Sequence, residues 1–112
     1  NAVVADRSQL VRELEIQMRS LADIAIRDYD YTPRYFLNMI NENGALATAH
    51  ALLAGQPSEG FTKLWSLGAL HLSVEAFVAR EPWASSELFS EDELRRARRR
   101  LRDAGYVAAA ID

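Results

Sequence analysis

The sequence predicts an all-α domain, a compact bundle of about six helices in which a long N-terminal helix is followed by five shorter ones. Three observations predict it. Apolar residues recur three and four apart in successive segments, the spacing of a single helical stripe. Each segment is bracketed by residues that start or stop helices, namely Ser, Thr-Pro and Gly. No sustained period-two run exists from which a sheet could be built.

The first helix is expected from about Gln9 to Asp28, capped by Ser8. Its stripe is Val11, Leu14, Met18, Leu21 and Ala25, while Ile16, Ala22, Ile24 and Ile26 place apolar surface elsewhere on the same helix. Two partners are implied, and the coiled-coil-like spacing of Val11, Leu14, Met18 and Leu21 makes that stripe a candidate surface for self-association. The segment 29–33 then breaks the pattern. Thr32 is an N-cap type and Pro33 suits a first helical turn, where no amide donor is needed. The second helix presents Tyr35, Phe36, Met39 and Ile40 and stops at Asn43-Gly44. An alanine-rich third helix covers Ala45 to Ala54 and ends at Gly55, with Pro57 barring continuation.

Ser58 caps a short fourth helix whose apolar side is Phe61, Leu64 and Trp65, and Gly68 ends it. A fifth helix is expected over Leu70 to Arg80, with Leu70, Val74, Phe77 and Val78 at helical spacing, before Pro82. Phe61, Trp65 and Phe77 are the expected core aromatics. The sixth helix opens on the capping-box pattern Ser90…Glu93, begins acidic, ends rich in arginine and stops at Gly105.

A chain of 112 residues has room for one core, so residues 1–112 are read as a single domain. The absence of cysteine excludes disulfides, thiolate metal sites and cysteine nucleophiles. No apolar run approaches the roughly 18 residues of a membrane span, and no basic-then-apolar leader opens the chain. A cytoplasmic protein without membrane contact is the expectation. The opening Asn1-Ala2, lacking methionine, reads as the remnant of a purification tag.

Net charge is −3, yet six arginines fall between Arg95 and Arg102. Leu94, Ala97, Leu101 and Ala104 form the inward stripe of that helix, which turns Arg95, Arg96, Arg99, Arg100 and Arg102 outward, with Arg98 near the boundary. Such a face can contact phosphates or an acidic partner. No aromatic residue interleaves with the arginines, so any nucleic-acid contact would be to backbone rather than to stacked bases. The third and fourth helices could be taken for a helix-turn-helix, but Lys63 is almost alone as a base-reading side chain there.

His71 and Glu75 stand four apart on one helix face, and a metal site would need His50 or a distant carboxylate as well, which no spacing brings near. Glu75 lies among Leu72, Val74, Ala76 and Phe77. If buried it needs a counter-charge, for which Arg80 or an arginine of the last helix is the candidate, as a structural ion pair. There is no nucleophile elbow, no glycine-rich phosphate loop and no catalytic carboxylate pair. The expectation is a non-enzymatic chain with no cofactor, no metal and no small-molecule substrate.

Across Tyr31 to Tyr106, the segments YTPRYFLNMINENG, GFTKLWSLGALHLSVEAFV and LFSEDELRRARRRLRDAGY resemble a helical accessory domain of uncharacterised bacterial proteins, which has no assigned activity. Tyr31, Pro33, Phe36, Gly60, Phe61, Leu64, Glu75, Phe89 and Tyr106 stand at the positions that mark the pattern. His71 departs from it, since an acidic residue is expected there. The resemblance implies an accessory module. With the residue-level reading it makes protein interaction, by self-association or by docking to a partner, the expected function, and a DNA-backbone-binding module on the arginine face the alternative.

Overall fold

The computed structural model describes residues 6–106. They form six α-helices and no strand: α1 (Arg7–Tyr29), α2 (Arg34–Asn43), α3 (Ala45–Ala54), α4 (Glu59–Ser66), α5 (Val74–Val78) and α6 (Glu91–Asp103). A single 3₁₀ turn, Leu70–Leu72, precedes α5. The Asn1-Ala2 opening read as a tag remnant lies outside the described residues. Among those residues no helix is long and apolar enough to cross a membrane.

The helix boundaries follow local chemistry, with three departures from expectation. Asp6, not Ser8, caps α1: its carboxylate accepts from the Ser8 amide at 3.1 Å. The stronger acceptor two residues earlier outcompetes the serine. Pro33, not Thr32, occupies the N-cap position of α2, where no side chain caps the helix. The expected fifth helix is broken in two at Ser73, whose hydroxyl donates to the Leu70 carbonyl at 2.7 Å and accepts from the Ala76 amide at 3.1 Å. That serine closes the 3₁₀ turn and opens α5. Elsewhere expectation and structure agree. Ser58 accepts from the Phe61 amide, and Ser90 and Glu93 close a complete capping box at 3.1 and 2.9 Å. Between α2 and α3, Gly44 adopts φ +88° and ψ 163°, a region essentially reserved for glycine.

Helix α3 is the hub, packing against α1, α2, α5 and α6. Its small residues explain this: Ala45, Ala49 and Thr48 are buried, and short side chains let neighbouring helices approach closely. The stripe of α1 turns inward, with Leu14 and Met18 fully buried and Leu21 and Ala25 nearly so. Leu94, Ala97 and Leu101 do the same for α6. Phe61 and Phe77 are in the core as expected, but Trp65 is not, being 54% exposed. The buried tryptophan is Trp83, in the irregular stretch between α5 and α6 and 2% exposed. Its indole packs on Phe77 with ring centroids 5.6 Å apart, and its N–H donates to Gln17 Oε1 at 3.3 Å.

Candidate binding cleft

The two charged side chains buried in the molecule, among the described residues, meet each other. Glu75, near the start of α5, is 3% exposed, and Arg100 of α6 is 8% exposed. Arg100 Nη1 donates to Glu75 Oε2 at 2.9 Å. The same guanidinium donates to the carbonyls of Leu52 (2.9 Å), Leu53 (3.3 Å) and Gly55. These belong to the C-terminal end of α3, where backbone acceptors have no helical partner. Arg96 adds a second donor to the Leu53 carbonyl, at 2.9 Å. The counter-ion for Glu75 thus comes from the last helix; Arg80 instead donates to the His71 carbonyl at 3.2 Å and lies over the Phe77 ring. Burial pushes the Glu75 carboxyl above its ordinary range, opposed by Arg100 and by its own backbone N–H.

Glu75 also lines the wall of a cleft that holds about 490 Å³. Leu21, Ala22 and Ala25 of α1 form one side. Pro33, Tyr35 and Phe36 of the α2 start form a second, and Gly60, Phe61 and Leu64 of α4 a third. Leu72, Ser73 and Val74 flank Glu75. The lining is apolar apart from Tyr31, Tyr35, Ser58, Glu59, Ser73 and Glu75, and includes no Lys, Arg or His. Tyr35 stands 73% exposed among these residues. The Tyr31 hydroxyl titrates above its usual range because of partial burial and the neighbouring Glu59. A cleft of this size, mostly apolar with a few convergent polar groups, has the character of a binding site.

The sequence-derived candidates are distributed differently. Leu14, Met18 and Leu21 are spent on the domain's own core and Val11 is half-buried against it, so the stripe Val11, Leu14, Met18, Leu21 is not a surface for a second copy. A helix surrounded by its own domain satisfies its stripe internally. The basic face is smaller than expected. Arg100 points inward, Arg96 is half-buried, and Arg95 pairs with Asp92, leaving Arg99 and Arg102 as further exposed members. His50 Nδ1 lies 2.6 Å from Glu93 Oε2 with its ring against Phe89, while His71 is exposed with an edge contact to Tyr29. His50, His71 and Glu75 are therefore engaged in three separate contacts.

The cleft itself is not legible in the sequence. Its walls come from five separate segments, Leu52 of α3 among them, and its apolar residues carry the same periodicity as ordinary core. Only Glu75, a carboxylate in an apolar run, gave a signal. Compared with protein-family models, curated proteins and solved structures, the chain gives no match in any of the three.

Proposed function

We propose that this chain is a non-enzymatic accessory domain that acts by protein interaction, and that the cleft between α1, α2 and α4 is where a partner seats an apolar group. The observation that carries this reading is the cleft's make-up: about 490 Å³ walled by Leu21, Phe36, Phe61 and Leu64, with the exposed aromatic Tyr35 on its border. Aromatic residues beside a pocket that excludes water are typical anchors of protein interfaces. The resemblance to helical accessory domains supports the same place, because seven of the nine residues that carry it, Tyr31, Pro33, Phe36, Gly60, Phe61, Leu64 and Glu75, line the cleft, while Phe89 and Tyr106 do not.

A photoactivatable phenylalanine analogue at position 35 tests this reading in cells producing the chain. Irradiation is expected to yield a discrete adduct with a second protein. The adduct should disappear when Ala22→Phe fills the cleft in a chain that still folds. An adduct unaffected by Ala22→Phe, or none, would defeat the proposal. An adduct with a second copy of the chain would make the interaction self-association through the cleft.

A further inference from the structure

On α6 the apolar residues Leu94, Ala97 and Leu101 are buried in the core, and the side turned away from them is basic. Arg95, Arg98, Arg99 and Arg102 fall within about 100° of the helix circumference, one stripe along about two turns. Arg95, Arg99 and Arg102 are exposed and Arg98 is half-buried. Among the described residues, Arg98, Arg99 and Arg102 take part in no ion pair, not even with Asp103 on the same helix. Arg95 pairs with Asp92 one turn earlier, and both side chains are mostly exposed. A pair in that position contributes little and opens readily.

The fold does not account for this grouping. It uses Arg96 and Arg100, which bond to the carbonyls that end α3. The other arginines make no such contact among the described residues. Arg95 and Arg99, and likewise Arg98 and Arg102, stand four residues apart, where like charges weaken a helix. The helix dipole favours a cation in the last turn, which covers Arg102 but not the arginines further back.

Spacing and surroundings choose the partner. Guanidinium groups form paired hydrogen bonds with carboxylates and with phosphates. Duplex DNA carries a charge for about every 1.7 Å of its axis, so its phosphates would continue past a stripe whose Cα atoms span about 10 Å. Beyond the N-terminal end of the stripe they would meet Glu91 and Asp92, both exposed, on a chain of net charge −3. A second helix presents a short run of charge instead. Its side chains three and four residues apart rise about 5.4 Å per turn, the same interval at which the arginines recur. Same-face side chains of an extended segment recur at about 6.6 Å and lose that register.

We propose that Arg95, Arg98, Arg99 and Arg102 dock an acidic helix of a partner protein, with carboxylates three and four residues apart meeting the arginines. The surface is independent of the cleft, whose lining includes no arginine.

The test uses the whole chain and a helical peptide with glutamates three and four residues apart, at low ionic strength. Binding is followed by amide shifts in ¹H–¹⁵N NMR spectra. The expected result is that shifts centre on residues 95–102, and that affinity falls at least about tenfold when glutamine replaces the glutamates. Arg98→Glu with Arg102→Glu should abolish binding of the glutamate peptide and confer binding of a lysine version, a reversal that misfolding cannot produce. Equal affinity of the glutamine peptide, shifts centred away from α6, or no binding would overturn the proposal. Tighter binding of duplex DNA at the same salt would overturn it in favour of a phosphate backbone. A proline-interrupted peptide of the same composition should bind more weakly, and equal binding would overturn the helical form of the partner.

Discussion

Arg100 donates to Glu75 at 2.9 Å and, through the same guanidinium, to the Leu52, Leu53 and Gly55 carbonyls, so one side chain neutralises a buried carboxylate and closes the end of α3. Removing it leaves Glu75 uncompensated and three carbonyls without this donor. Arg100→Met should therefore destabilise the domain by about 3–5 kcal/mol in urea denaturation. The double substitution Glu75→Leu with Arg100→Met should cost clearly less than the two single losses added together, because neither charge is then stranded. Simple additivity would mean that the pair is not coupled.

The acid limb of the stability curve should depend on Glu93. Burial alone would raise its carboxyl, but the Ser90 amide and His50 together hold it below the ordinary range. A lowered folded-state value means that the contribution is present above the unfolded value, near about 4.3, and is lost as pH falls through the folded value. Glu93→Gln should flatten that loss and cost about 1 kcal/mol at neutral pH through the weakened capping box. Glu75 runs the opposite way. Its raised value makes its contribution complete at low pH and smaller as pH rises through the folded value. Urea midpoints measured across the acid range check both signs, and an unchanged acid slope in Glu93→Gln would exclude the assignment.

The two tryptophans should behave as opposites. Trp83→Ala is expected to cost about 3–5 kcal/mol, since it empties a site between Phe77 and α1. Trp65→Ala should stay within about 1 kcal/mol of the parent. Acrylamide quenching of the single-tryptophan variants checks the same difference without unfolding: Trp65 should be quenched readily and Trp83 weakly.

On α1 the inward and outward apolar residues can be separated. Leu14→Glu places a charge at a fully buried position and should unfold the domain. Ile16→Glu, on the exposed face, should leave stability within about 0.5 kcal/mol. Circular dichroism with light scattering distinguishes this from self-association through the stripe, for which Leu14→Glu would give a folded monomer.

Element type and order were legible because their signals are local. Caps, glycine stops and three-four spacing act within a few residues, and the Ser90–Glu93 box and the Gly44 turn formed as their chemistry requires. The interruption at Ser73 was missed because the apolar spacing runs unbroken from Leu70 to Val78 while a hydroxyl reorganises the backbone beneath it. Trp83 was missed for the converse reason. It stands in a segment with no period, and only its placement against Phe77 and Gln17 buries it.

Alone, the sequence determined six helices, their inward stripes, and the need of Glu75 for a cation; the tertiary structure decided which cation, and that a cleft opens beside it. On α6, at 100° per residue, Arg98 and Arg100 flank the apolar stripe at roughly equal angles of about 80° on opposite sides. Nothing in their own helix distinguishes them. Arg100 is buried because the open carbonyls of α3 and the carboxylate of α5 lie on its side, whereas Arg98 remains half-buried. Periodicity states which way a helix faces, but what waits beside that face is set by segments about 25 to 48 residues away, whose position only the packed fold supplies.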